Sequence, residues 1–565
     1  MAQHQAVPST DPFPAVGEEQ KPWIFTQWLG SSVIYGAYSA GGFEGLKWLR
    51  LVVFILVIGI FYAYARNALP FEILFSLLLI LDFGLIGRVL LRPDIFNYIF
   101  IEIFLLFLFA HYENGQRKHL LAIALLGIVW GNIHLGSLVY GYFLIVLFVI
   151  AAVVEWISVS FKNESAEKIV AVRRRALELV SLSFVYPVTF FFSPYGVQGG
   201  LYPFKVFLVP DFIYFYQFVH LMQEMLPPSY LFSWNGMWFI VLVITAIGML
   251  LSNPKDKFLH WILFVVPLFM FLRGGRAAGL FVVMTAFVIV GCARNLNFLK
   301  AWQAYKYRAM VSTSIMVVLG LLLSTQLIYG FSERIYAQDR MRPMYTVTTD
   351  PRLPFLALEF LKKNQISGVV FTNDNLGGFL LWTSYPALRP FVDGRQLHPD
   401  QFFQYTDVLR NPPENWDSLA SRYDLSIVLL DLSSGVSMRL GQYLSNHPGW
   451  QLVYLQGVTV VFFKREAFSL NSDIDSFSDR LGRERVSSHD MALLNQVALS
   501  QRSARRVEGS ALKYNEFLYE GYVLLALNYK AAAVSRLVKA YEVSDDAAVR
   551  SLMLNAYRML PKNGL

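Results

Sequence analysis

The chain has 565 residues, of which 55% are hydrophobic and only 16% are charged, and its formal net charge is +8. A soluble protein typically carries about 25% charged residues, so the composition excludes an ordinary soluble protein. The positive charge does not indicate nucleic-acid binding, because basic residues in the loops of a membrane protein act as orientation signals. The single cysteine, Cys292, excludes an intramolecular disulfide and a thiolate metal cluster.

Apolar runs long enough to cross a bilayer recur through the first 331 residues and then stop. The sequence therefore predicts a polytopic α-helical membrane protein with about ten spans, followed by a soluble C-terminal part. The predicted spans cover residues 48–65, 70–90, 94–111, 119–133, 136–157, 176–193, 229–252, 258–272, 277–293 and 309–331. The shorter, glycine-rich stretch 26–44 is predicted to be an interfacial or re-entrant segment.

Basic residues in four short loops predict the orientation of the spans. They are Arg117 and Lys118; Lys162, Lys168, Arg173, Arg174 and Arg175; Lys255 and Lys257; and Arg294, Lys300, Lys306 and Arg308. The four loops are mutually consistent if all of them are cytoplasmic. Residues 1–47 and all residues after 331 then lie on the extracytoplasmic side.

The stretch "STDPFPAVGEEQKPW" at residues 9–23 reads as a solvated loop, because it combines Asp-Pro, a further Pro, Gly and two Glu. The eight residues before it are too few to span a membrane. Two expectations remain open. Either a short, slightly acidic tail is translocated without a preceding span, or a further helix precedes the chain as given.

Several stretches occur in an order typical of one group of membrane proteins: "VPSTDPF", "PWIFTQWLG", "RPDIFNYIF", "WGNIHLGS", "FSPYG", "RGGRAAGLF", "NLGGFLLW" and "FVDGRQLHPD". Together they resemble bacterial GT-C-type proteins, the polyprenyl-phosphate-dependent glycosyltransferase superfamily. The resemblance is greatest to members with a C-terminal extracytoplasmic domain and tetratricopeptide-like helices. It implies a location in the bacterial inner membrane and sugar transfer from a polyprenyl phosphate on the outer face.

The chain departs from this family pattern at its start. In such proteins a first span and an acidic motif precede the "TDPF" loop, and this sequence begins after that point. Gln27 stands where relatives often have Glu, and a Gln cannot act as a carboxylate base. The resemblance thus implies a transferase, with a divalent metal if it is active. The alternative is a catalytically inactive membrane subunit that binds protein partners through its outer domains.

Sugar transfer from a lipid phosphate needs a carboxylate that accepts a proton and cations that stabilise the leaving phosphate. Four residues near predicted outer ends of spans are candidates for lipid-phosphate binding: Arg92, His134, Arg273 and Arg276. Asp11 is the candidate catalytic carboxylate, and no metal ligands are identified. Structural roles are the alternative for each: snorkelling or interfacial anchoring for the arginines, a polar turn for His134, and an Asp-Pro turn for Asp11.

Residues 345–470 alternate between helical and strand patterns, which predicts a small α/β domain. The strands "WQLVYL" and "VTVVFFK" are joined by Gln456-Gly457, a hairpin signal. Polar residues follow two predicted strands, at 373–375 and 393–395, where α/β domains usually place their sites. We favour binding or packing over catalysis there, with a turn network between Asp393 and Arg395.

Residues 487–565 are predicted to be helical, with Ala, Leu and Tyr at helical spacing that resembles tetratricopeptide helices. One or two such repeats do not form a stable solenoid alone. We expect them to dock on the α/β domain or on a protein partner.

Overall fold

The computed structural model describes residues 7–13, 16, 23–86, 91–162, 164–208, 228, 237–253, 257–331, 353–395, 398–465, 467–468, 477–499, 511–543 and 547–560. The chain divides into two compact units. The first contains residues 1–10 and 22–328, and the second contains residues 11–21 and 329–565.

The described part of the first unit is helical. Its helices are α1 (Trp28–Ala65), α2 (Phe71–Ile86), α3 (Asn97–Asn114), α4 (Arg117–Ile133), α5 (Leu138–Phe161), α6 (Ala166–Val185), α7 (Gly196–Leu208), α8 (Met237–Ser252), α9 (Lys257–Arg273), α10 (Ala278–Asn295), α11 (Phe298–Ala304) and α12 (Arg308–Phe331). Short 3₁₀ turns cover Pro93–Phe96, Leu135–Ser137, Tyr186–Phe191 and Gly275–Ala277.

Four helical segments in the described residues are long and apolar enough to cross a membrane: Trp28–Ala65, Pro93–Asn114, Leu135–Phe161 and Gly275–Asn295. Their buried side chains form one core, in which Phe61, Phe104 and Phe287 are fully enclosed. The prediction of apolar membrane helices followed by a sheet-containing C-terminal part is confirmed at this level. The count of about ten spans stays a prediction.

Two predicted boundaries differ from the structure. The stretch 26–44 and the span 48–65 lie in one helix, α1, which is interrupted by non-helical backbone at Gly41 and Gly42. The predicted basic loop before residue 176 is largely helical, because α6 begins at Ala166. There the Ser165 hydroxyl caps the helix by accepting from the Lys168 N–H.

The second unit contains a five-stranded mixed sheet in the order β2-β1-β3-β5-β4. Its strands are β1 (Gly368–Thr372), β2 (Leu388–Pro390), β3 (Ile427–Asp431), β4 (Trp450–Gln456) and β5 (Thr459–Lys464). β1 is parallel to both β2 and β3, whereas β5 is antiparallel to β3 and β4. β3 is buried along its whole length, which explains its continuous run of apolar residues.

Ten helices of the second unit lie within the described residues. They are α13 (Phe355–Lys363), α14 (Asp374–Ser384), α15 (Pro399–Arg410), α16 (Pro412–Arg422), α17 (Gly435–Asn446), α18 (Phe477–Arg483), α19 (Ser488–Leu499), α20 (Ala511–Ala526), α21 (Lys530–Val543) and α22 (Ala547–Arg558).

The predicted hairpin joins β4 and β5, with its turn one residue later than expected. Gln456 pairs with Thr459, so Gly457 and Val458 are the two turn residues. Gly457 has a φ of +54°, a left-handed conformation that glycine adopts without a Cβ clash. This register places Gln456 in the strand.

The C-terminal helices dock on the sheet-containing part, which is one of the two predicted alternatives. The Gln442 amide of α17 donates to the Ala526 carbonyl at 3.1 Å, and the Ser445 hydroxyl donates to the Leu527 carbonyl at 3.3 Å. The Glu520 carboxylate of α20 accepts from the Gly457 N–H at 3.4 Å. The contact surface therefore includes both α17 and the hairpin turn.

Candidate functional site

Three helix junctions of the first unit lie close together. A Cβ atom on Gly30 of α1 would lie 2.7 Å from the Ile133 carbonyl oxygen and 2.8 Å from the Pro93 Cβ. A Cβ atom on Gly279 of α10 would lie 2.4 Å from the Tyr98 ring. The starts of α1, α3 and α10 therefore meet the end of α4 at one end of this unit.

His134, which follows α4, is held in one tautomer by its neighbours. Its Nδ1 accepts from the Ser137 backbone N–H at 3.1 Å and lies 2.9 Å from the Ser137 hydroxyl. Because a backbone N–H can only donate, Nδ1 carries no hydrogen and the ring proton lies on Nε2. Nε2 is 3.0 Å from the carboxamide nitrogen of Gln27. A half rotation of the amide places its oxygen there, which the protonated ring nitrogen requires.

Charged groups surround this imidazole at the helix junction. Burial lowers the pKa of His134 to about 4; the Asp94 carboxylate opposes this shift and the Arg276 guanidinium reinforces it. Asp94 follows the start of the 3₁₀ turn at Pro93, and Arg276 lies in the turn before α10. We call Gln27, Asp94, His134 and Arg276 the junction cluster.

The structure brings together some of the predicted lipid-phosphate residues. His134 and Arg276 belong to the junction cluster, and the exposed Arg92 precedes Pro93 directly. Arg273 is also exposed, and its guanidinium lies 5.5 Å from the centroid of the Phe269 ring, one turn earlier on the same helix. This packing along its own helix corresponds to the anchoring alternative for Arg273.

Sequence reasoning missed Asp94 and the hydrogen bonds of two tryptophans. The Trp28 indole donates to the Asn132 side chain at 3.0 Å, and Asn132 donates to the Phe192 carbonyl at 2.7 Å. The buried Trp130 indole donates to the Asn97 side chain at 2.9 Å. All of these residues fall within the stretches that carry the family resemblance. Polar residues in short turns between apolar helices were the signal that could have identified them.

Asp11 lies in the second unit, where its side chain is buried. Its Oδ1 accepts from the Phe13 N–H at 2.9 Å and from the Arg395 guanidinium. Arg395 also donates to both carboxylate oxygens of Asp393, at 2.8 and 2.9 Å. The predicted turn network between Asp393 and Arg395 is confirmed, and Asp11 is part of it. The candidate catalytic carboxylate is therefore paired with a cation.

The resemblance implies a divalent metal for an active transferase. Within the described ranges, no group of three or more His, Cys, Asp and Glu side chains is arranged to hold a metal ion. Asp94 and His134 provide two potential ligands, but Arg276 places a positive charge near His134. The described residues of the junction cluster do not fit a metal site.

Acid should destabilise the protein through His134, and His134→Gln should reduce that effect. The unfolded imidazole binds a proton near pH 6.5, whereas the folded one binds it only near pH 4. Protonation in this window therefore favours the unfolded state. The stability is present above about pH 6.5 and is lost by about pH 4, with a size on the order of 3 kcal/mol. Melting temperatures from pH 7 to pH 4 would measure it.

The exposed His489→Gln serves as the control, because His489 lies on the helical tail beside Glu542. It should retain the wild-type loss of stability between pH 6.5 and 4. Equal slopes for wild type and His134→Gln would contradict the assignment.

No family model and no curated protein sequence matches the chain. Among solved structures, it is similar to the archaeal oligosaccharyltransferase AglB from Archaeoglobus fulgidus in complex with an inhibitory peptide and a dolichol-phosphate. The identity is 12%, the TM-score is 0.48, and the match covers 96% of this chain and 80% of that chain. The apo form of the Archaeoglobus fulgidus oligosaccharyltransferase is 14% identical, with a TM-score of 0.46 and coverage of 99% and 80%. Its complex with zinc and sulfate is 14% identical, with a TM-score of 0.42 and coverage of 100% and 81%.

Proposed function

We propose that the protein is a GT-C-like membrane glycosyltransferase that takes a sugar from a polyprenyl phosphate at the junction cluster. The observation that supports this proposal best is that Arg276 and Asp94 both lie within electrostatic range of His134 at apposed helix ends. The basic-loop pattern supports an extracytoplasmic position for this end of the first unit. The resemblance of the sequence motifs supports the bacterial inner membrane as the location.

Each group has a role in this proposal. Arg276 provides a planar fork of donors for the lipid phosphate, and Arg92 adds a second positive charge near the same junction. The neutral His134 presents its Nε2–H, which stabilises a phosphate oxygen when the ligand replaces Gln27. These three donors favour departure of the phosphate, because they stabilise the charge that develops on it.

Asp94 is the carboxylate that we assign to proton acceptance. Its Oδ1 is buried and makes no hydrogen bond to any described residue. Asp11, by contrast, is buried against Arg395 in the second unit. A general base needs a lone pair that no other donor occupies, and among the described residues the Asp94 Oδ1 has one.

The pairing of Asp11 favours a second candidate function. If the family reaction depends on the "TDPF" loop, a carboxylate paired with Arg395 does not act as a base while that pair persists. The chain would then be a non-catalytic membrane subunit that binds a polyprenyl phosphate and protein partners. Binding without sugar transfer by the wild-type protein would favour this function.

Arg276→Ala should weaken binding of a polyprenyl monophosphate by about tenfold or more, because it removes a charge-assisted hydrogen bond. Titration of the full-length protein in lipid nanodiscs would measure this. Lys300→Ala is the matched control, because Lys300 is an exposed cation on α11. Equal losses in the two variants, or equal affinity for the polyprenol without its phosphate, would contradict head-group binding by Arg276.

A further inference from the structure

The turn that follows the carboxyl end of β2 holds part of the N-terminal loop. The residues that follow these parallel strands are Asn373 after β1 and Phe391 after β2. Parallel α/β sheets usually bind ligands at this edge, in a crevice outside the strand ends. Here the Asp393–Arg395 turn after β2 contacts Asp11 and Phe13 of the N-terminal loop.

Arg395 contacts three different groups of this short segment. Its Nη1 donates to the Asp11 carboxylate, and its Nη2 donates to the Phe13 carbonyl at 3.1 Å. The guanidinium carbon also lies 5.2 Å from the centroid of the Phe13 ring. A single side chain therefore recognises a carboxylate, a backbone carbonyl and an aromatic face, which matches the donor fork and the stacking plane of arginine.

Two further contacts extend the recognition on both sides of Arg395. The Phe13 ring packs edge-to-face on the Tyr385 ring, with centroids 5.0 Å apart. The buried Gln401 amide of α15 donates to the Val16 carbonyl at 2.8 Å. Asp11, Val16 and Gln401 are 2%, 8% and 3% exposed, so these contacts are buried. We call Tyr385, Asp393, Arg395 and Gln401 the peptide seat.

The seat is fixed by residues of the sheet-containing part itself. Asp393 binds the Arg395 guanidinium through both carboxylate oxygens and accepts from the Arg395 N–H at 2.9 Å. The backbone of Val392 lies so close to α14 that only glycine fits at position 377. Arg395 is thus oriented by contacts that do not involve the N-terminal loop, and a pre-oriented side chain binds with a smaller loss of conformational entropy.

We propose that this seat is a binding site for a peptide turn that carries a carboxylate and, two residues later, an aromatic side chain. The N-terminal loop occupies the site in cis through Asp11, Phe13 and Val16. An exposed tail of a partner protein with the same pattern competes for the seat. Its binding releases the N-terminal loop and removes Arg395 from Asp11.

Because the N-terminal loop belongs to the same chain, it binds the seat intramolecularly, with an effective concentration on the order of millimolar. A peptide added in trans therefore binds wild-type protein poorly. Asp11→Ala/Phe13→Ala removes the carboxylate and the ring from the tethered loop and leaves the seat intact. In this variant the site should become available to a free peptide.

The test uses the full-length protein in detergent and a fluorescein-labelled peptide of residues 7–23. Fluorescence anisotropy should show binding to Asp11→Ala/Phe13→Ala that is about tenfold or more tighter than binding to wild type. The same peptide with Asp11→Asn should bind this variant about tenfold or more weakly, because it lacks the charge. This peptide-side change leaves the fold of the protein untouched.

Protein-side variants complete the test in the same Asp11→Ala/Phe13→Ala background. Arg395→Ala should abolish peptide binding, whereas Arg389→Ala, an exposed arginine on β2, should retain it. Equal peptide affinity for wild type and Asp11→Ala/Phe13→Ala would overturn the proposal. So would equal affinity of the Asp and Asn peptides. Neither result bears on lipid-phosphate binding by Arg276, which is measured separately.

Discussion

Gly377→Ala is expected to lower the melting temperature of the protein sharply, whereas Gly378→Ala should leave it almost unchanged. A Cβ atom on Gly377 would lie 2.2 Å from the Val392 carbonyl oxygen and 2.6 Å from the Asp393 Cα. These are backbone atoms, so relief requires movement of the whole turn. Overpacking of this kind costs about 1–3 kcal/mol and occasionally more.

Gly378 is a close control because it is the next residue of the same helix. A Cβ atom there meets no described atom within 4 Å. Gly378→Ala should stabilise the helix by up to about 1 kcal/mol, because alanine has a higher helix propensity than glycine. Thermal unfolding of both variants in one detergent gives the comparison. Similar melting temperatures would show that the turn at Val392 moves freely.

The consequence of Gly377→Ala extends to the peptide seat. The turn that must move carries Asp393 and leads directly to Arg395. In the Asp11→Ala/Phe13→Ala background, Gly377→Ala should therefore weaken peptide binding, and Gly378→Ala should not. If Gly377→Ala lowers both the melting temperature and the peptide affinity, the close approach of α14 to the Val392 turn supports the peptide seat as well as the fold.

Composition and periodicity were sufficient to predict the classes of structure. Runs of apolar residues identify membrane helices because the bilayer sets their length. Short apolar strands bounded by turn residues predict the α/β domain, and the hairpin of β4 and β5 lies where its turn signal predicts it to within one residue. The α6 boundary was missed because the helix extends into a polar surface, where Arg174 pairs with Glu178. Hydropathy alone does not detect such an extension.

The candidate site was less accessible to prediction from the sequence. Turns close in the chain, such as Asp393 to Arg395, follow from local chemistry and were predicted. The pairing of Asp11 with Arg395 joins residues 384 positions apart, and no local pattern specifies it. Likewise, the sequence pattern does not distinguish Arg273 from Arg276. The structure places Arg276 near His134, whereas Arg273 packs on the Phe269 ring of its own helix.

Arg395→Ala is expected to destabilise the second unit by about 3 kcal/mol, because it leaves the buried Asp11 carboxylate and the partly exposed Asp393 carboxylate without their counter-charge. Asp11 and Asp393 both bind this guanidinium, and Asp11 is almost fully buried. Burial alone would lower the pKa of Arg395, but the two carboxylates hold it above its usual value. Chemical denaturation of wild type and Arg395→Ala would measure the difference, with the exposed Arg389→Ala as the control.

A second substitution separates the ion pair from simple loss of packing. Asp11→Asn removes one of the two charges that Arg395→Ala leaves unpaired, so the double variant should recover part of the lost stability. Arg395→Lys should fall between wild type and Arg395→Ala, because lysine keeps the charge and lacks the planar donor fork. Strictly additive effects of Asp11→Asn and Arg395→Ala would mean that the two side chains are not coupled. A coupling free energy of about 0.5 kcal/mol or more, roughly the lower limit for residues in one network, would instead show that the charge of Asp11 contributes to the stability of the sheet-containing part through Arg395.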